Sequence, residues 1–136
     1  MQTEYAISIR QPWVWAIFNL GKDIENRSWS TKVRGRVLIH AAKGMTAGEF
    51  DDACDLFDDI APLDAQGSMQ RRARISEGAM RGGIVGSIEI VDCVQISASP
   101  WFFGRYGFIL RNPQPLPFTP CRGKLSFFAP EIEATR

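Results

Sequence analysis

The chain is poor in the residues that build metal sites, disulfide frameworks and membrane spans. Its three cysteines, Cys54, Cys93 and Cys121, are scattered through 136 residues with no C-x-x-C pair. An odd, dispersed set excludes a disulfide framework and predicts buried or half-buried thiols in a reducing, cytoplasmic setting. His40 is the only histidine, so a zinc site would lack any recognised ligand spacing, and neither metal nor cofactor is expected. No apolar run approaches the ~20 residues that cross a bilayer. Met1 to Glu4 contains no basic segment leading into an apolar one, so no secretory leader is expected. Net charge is nearly absent as well. Sixteen Lys+Arg against fifteen Asp+Glu leave +1, which argues against a binder that works by bulk positive charge.

What remains is an ordinary globular composition, 45% hydrophobic, in a length that suits one domain spanning 1–136 and its own core. Tyr5, Ile7 and Ile9 alternate with Ala6, Ser8 and Arg10, the period of a half-buried strand. Pro12 suits the first turn of a helix, Trp13–Leu20 is apolar nearly all round, and Gly21 suits a left-handed cap. Ile24–Trp29 and Gly35–His40 read as two further strands. Phe50, Ala53, Cys54, Phe57 and Ala61 form a helical stripe whose outer face is acidic. From Ala65 to Met80 the period is weak, and helix and mobile loop stay open. Gly82-Gly83 opens a strand through Ile84, Gly86, Ile88 and Ile90, and Tyr106–Arg111 forms another. Asn112 to Pro117 carries three prolines and is expected to be neither helix nor central strand. Leu125–Phe128 is expected to close the sheet. The sum is an α+β fold, a small barrel of about six strands, with a short buried helix and an inserted helical segment over about 46–80.

The densest chemistry follows the first helix. Lys22, Glu25 and Arg27 lie at the start of a strand, and a period of two puts Glu25 and Arg27 on one face. A glutamate there orients the guanidinium fork, while Lys22 is expected to be a mobile charge suited to phosphate. The same cluster also reads as a solvated salt-bridge patch. Trp13 and Trp29 stand near enough in sequence to stack a base beside those cations, whereas Trp15 reads as core. His40 reads chiefly as a hydrogen-bonded core histidine, and any Ser-His or Cys-His pair would depend on it alone.

Ser8-Ile9-Arg10-Gln11-Pro12-Trp13, Lys22 with Glu25-Asn26-Arg27-Ser28-Trp29, and Arg34-Gly35-Arg36 before Leu38-Ile39-His40-Ala41 together resemble an ASCH domain. Gly83-Ile84-Val85-Gly86, Val91-Asp92-Cys93 and Cys121-Arg122-Gly123-Lys124 extend the likeness over residues 5–128. The resemblance implies a PUA-like β-barrel with a cleft beside the first helix, and binding of RNA or other nucleic acid. The family motif G-x-K-x-x-E-x-R is carried by Lys22, Glu25 and Arg27. Its glycine stands one place late, at Gly21, with Leu20 where the family usually has glycine. Some relatives are amidohydrolases acting on N4-acylated cytidine through a lysine, a threonine and a glutamate. This chain keeps Lys22 but has Glu25 where those enzymes have the threonine nucleophile. Another relative is a ribonuclease.

Three functions are therefore in view. The first is a nucleic-acid or nucleoside binder, RNA before DNA, using Gln11, Trp13, Lys22, Glu25, Arg27, Trp29 and Lys43. The second is a small hydrolase with Lys22 and Glu25 as its acid–base pair. The third is a protein-interaction module that docks a basic partner on the acidic helix. Charge partition keeps the first open. Seven of the fifteen acidic residues fall in 49–64, which has no Lys or Arg, leaving sixteen basic against eight acidic elsewhere.

Overall fold

The computed structural model describes residues 5–132. Nine elements follow one another: β1 (Ala6–Ile9), α1 (Trp13–Asn19), β2 (Ile24–Arg27), β3 (Gly35–Ala41), α2 (Ala47–Ile60), α3 (Ala65–Gly78), β4 (Gly83–Val94), β5 (Tyr106–Pro120) and β6 (Phe127–Phe128). The six strands form one sheet in the order β2-β5-β4-β3-β1-β6. β1 runs parallel to β3, which pairs Ser8 with His40, and the other neighbours are antiparallel.

The sheet curls into a half-barrel, an α+β fold of the PUA-like kind expected. β5 and β6 stand four positions apart, which in a flat sheet means about 19 Å. Yet Phe108 on β5 and Phe127 on β6 stack with ring centroids 6.1 Å apart, and Trp29 meets both edge-on. Three register shifts along β4–β5 and one between Ile39 and His40 on β3 accompany the curl, as bulges bend and twist the strands that carry them.

α1 is apolar nearly all round because it is buried on two sides. Val14 and Ile17 enter the barrel core with Ile7, Ile9, Ile39, Ile88 and Phe108. Ala16 faces a second cluster built on Ala53, Cys54, Phe57, Ile75 and Trp101. Gly21 takes φ +68° after the helix, the conformation its cap role needs. The stripe on α2 is borne out: Ala53, Cys54 and Phe57 are its buried residues, and Thr46 and Glu49 close a capping box at its start.

The open segment 65–80 is resolved as a helix, α3, with Asp64 as its N-cap. Its weak period has a physical cause. Two of the residues it turns inward are polar, Ser68 and Arg71, and both bind Asp58 on α2.

Several boundaries differ from the sequence reading. β2 stops at Arg27, and β6 is only Phe127–Phe128. More instructively, β5 does not stop at Arg111 but runs on through the prolines to Pro120. β2 pairs only with Tyr106–Ile109, so beyond that stretch β5 has β4 alone as neighbour. Pro113, Pro115 and Pro117 are spaced by two, which lets their missing N–H groups share the open edge.

Candidate functional site

The predicted residues do not gather in one place. Trp13, Lys22 and Glu25 line a small pocket of about 280 Å³ with Asn26, Trp101 and Phe103. Asn26 pins its rim, donating to the Trp101 carbonyl and accepting from the Phe103 N–H. Lys22 is not the mobile charge expected. Its side chain is 3% exposed, and the ammonium donates to the Ile24 carbonyl and, at 3.2 Å, to Glu25 Oε1. A buried ammonium survives only when paired in this way.

Glu25 then hands the chain of charge to Arg27, 2.9 Å from its Oε2. The shared face predicted for this pair is real. Arg27 Nη2 also donates to the Ser8 carbonyl at 2.7 Å, and the guanidinium lies 5.9 Å from the Trp29 ring centroid. Its Nε is buried with no partner among the described residues.

Arg27 and Trp29 open onto a second depression of about 490 Å³, with Ser8, Arg10, Ala42, Lys124 and Leu125. Ser8, Ala42, Lys124 and Leu125 also line a larger cleft, of about 870 Å³, so the two form one groove. Lys43 lies in the larger lobe with Arg81, Arg122 and His40. Among the described residues, the lining of both lobes holds six cations (Arg10, Arg27, Lys43, Arg81, Arg122 and Lys124) and no Asp or Glu. Arg10 and Lys124 have carboxylate partners outside the lining, Glu49 and Glu131. Lys43, Arg81 and Arg122 form no ion pair among the described residues. Cys121 is also in the lining, and burial pushes its thiol up, which keeps it protonated.

Gln11 has a different job. It is buried, its Oε1 accepts the Trp15 N–H, and its Nε2 donates to the Met80 carbonyl. It ties α1 to the end of α3 away from the groove. Trp15, expected in the core, is half-buried and packs on Phe57 at the core's margin. The acidic face of α2 is partly neutralised within the molecule: Arg72 meets Asp51 and Asp55, Arg71 meets Asp58, and Arg10 meets Glu49.

The sequence reading missed the far wall of the groove, residues 118–125. Arg122 and Lys124 stood in the family-like stretch Cys121–Lys124 but were given no role. Nothing local marks them, because they join Lys43 and Ser8 only when the sheet curls.

Among the described residues no helix is long and apolar enough to cross a membrane, and no three His, Cys, Asp or Glu cluster to hold a metal. A comparison with curated proteins returns no match. The ASCH domain family model matches residues 7–104, a span that holds Lys22, Glu25, Arg27, Trp29, Lys43 and Arg81 but ends before the 118–125 wall. With well over half its length matched and the motif residues in place around a curled barrel, this chain belongs to the ASCH domain family.

Proposed function

We propose that the groove binds single-stranded or unpaired nucleic acid, RNA in the first instance. One observation carries the reading: among the described residues, six cations and no carboxylate line a continuous groove in a protein whose total charge is only +1. Lys43, Arg81 and Arg122, without carboxylate partners among the described residues, would meet phosphates, while Trp29 and Phe118 give the lining aromatic surface for a base. The RNA preference rests on the family resemblance. Lys22 and Glu25 would act from behind, by holding Arg27 in place. The amidohydrolase reading has less support, because the Lys22 ammonium is already engaged by a carbonyl and by Glu25.

Fluorescence anisotropy with labelled single-stranded RNA and DNA, over a salt series, tests the proposal. Binding should weaken steeply with salt. The Lys43→Ala/Arg122→Ala double variant should lower the slope of log K against log salt by about 1.4, two phosphates at the single-strand value of ~0.7 each. Equal affinity and slope in wild type and double variant would sink it.

A further inference from the structure

The groove holds a second feature that nucleic-acid binding does not use. Ser8 Oγ lies 2.9 Å from His40 Nδ1, and His40 Nε2 lies 2.8 Å from the Cys121 carbonyl oxygen. A carbonyl only accepts, so in the neutral ring Nε2 carries the proton and Nδ1 is left to accept from the serine hydroxyl. That is the arrangement of a nucleophile, a base and a group that orients the base.

The fold places this pair deliberately. Ser8 and His40 are register partners across the parallel strands β1 and β3. The register of β3 against β4 shifts between Ile39 and His40, the kind of irregularity that re-aims a side chain. His40 is buried with its ring edge on Phe128, while Ser8 is half-buried and lines both lobes. Gly123 covers the pair. A Cβ on it would come within 2.9 Å of Ser8 Oγ and His40 Nδ1, so only glycine leaves the hydroxyl room. Arg122 and Lys124, which flank that glycine, line the same lobe with Lys43 and Arg81.

We propose that Ser8 and His40 are a nucleophile–base pair that hydrolyses anionic acyl compounds, phosphate-bearing carboxylic esters or acyl phosphates. Ser8 Oγ forms a bond to the acyl carbon as its proton passes to His40 Nδ1. The tetrahedral intermediate expels the alkoxide or phosphate oxygen, which takes that proton. Water, deprotonated by His40, then cleaves the acyl-serine ester and restores the hydroxyl. The net reaction consumes one water and releases one acid and one alcohol or phosphate. The groove's cations select the anionic substrate and face the negative charge that develops on the carbonyl oxygen.

The full chain is treated with a fluorophosphonate probe and the adduct is mapped by peptide mass spectrometry, a readout that needs no variant. Modification at Ser8 is expected, and its absence at saturating probe overturns the proposal. Turnover of acetyl phosphate, with p-nitrophenyl acetate as the neutral comparison, is measured alongside. Ser8→Ala, checked for folding by near-ultraviolet circular dichroism, should lose on the order of 100-fold or more. Turnover or labelling that survives unchanged in folded Ser8→Ala also overturns it. Lack of RNA binding would leave this result standing, and an inactive pair would leave the RNA result standing, so the two proposals fail separately.

Discussion

Glu49 gathers three hydrogen bonds on one carboxylate. It accepts the Thr46 N–H at 2.8 Å in the capping box of α2, and it takes a two-pronged grip from Arg10 at 2.5 and 2.6 Å. The Arg10 hydrogen bonds, then the Thr46 N–H, hold its carboxyl down from 4.5 to about 2. A carboxyl whose folded pKa lies below its unfolded one adds stability above the unfolded value and loses it as pH falls through the folded one. The window is therefore about 4.5 down to about 2. Glu49→Gln keeps an acceptor for Thr46 but removes the charge, so its melting temperature should lie below wild type at pH 7. Thermal unfolding followed at successive pH values should show that gap closing between pH 5 and 2, and added salt should narrow it at pH 7. A gap that stays constant with pH would refute the assignment.

Residue identity alone told part of this. Glu25 and Arg27 announced their pairing through a period of two, and Phe57 announced the core through a helical stripe. The burial of Lys22 was invisible, because it depends on α1, β2 and the loop at Trp101 closing around one ammonium. The Ser8–His40 contact was equally hidden. It spans 32 positions and exists only because β1 lies parallel to β3.

At the scale of elements, legibility followed how far each element's stabilisation resides in its own pattern. α2 buries three apolar residues and carries its own capping box, so its sequence declares it. α3 does not, because Arg71 takes an inward position and satisfies the Ala61 carbonyl and Asp58 in place of apolar contact. Pattern rules count such a position as a miss. The proline-bearing half of β5 misleads in the opposite way. Its prolines exclude a central strand but not an edge strand, and an edge needs protection from pairing with other chains. Leu116 is exposed on this stretch, so an apolar, unblocked edge there would be adhesive. Replacing Pro113, Pro115 and Pro117 together with Val should produce concentration-dependent self-association. Light scattering on a gel-filtration column reads it directly. A variant as monodisperse as wild type would show that the prolines are not guarding the edge.

For the whole molecule, the consequence of the curl is that the motif residues serve the barrel before they serve a ligand. β2 and β1 are four positions apart in the sheet, about 19 Å if flat. Arg27 nevertheless reaches from β2 to the Ser8 carbonyl on β1 at 2.7 Å while its other contact holds Glu25. The guanidinium is thus a clasp across the barrel's open side, and Lys22 supports it through Glu25. Removing it leaves the Ser8 carbonyl without that donor and Glu25 with Lys22 alone. Arg27→Ala should therefore cost about 1.5–3 kcal/mol, the range for hydrogen bonds involving a charged group, read by urea unfolding. Arg27→Lys should recover part of the loss, because both acceptors meet the single nitrogen Nη2, and an ammonium that reaches its place has protons for each. This separates two effects that a binding assay alone would confuse. Loss of RNA affinity in Arg27→Ala would mix a lost phosphate contact with a loosened groove, whereas Lys43→Ala, exposed and unpaired among the described residues, should change affinity with stability held. A full-strength barrel in Arg27→Ala, with an unshifted urea midpoint, would show that the curl is held by the Phe108–Phe127–Trp29 stack without the clasp.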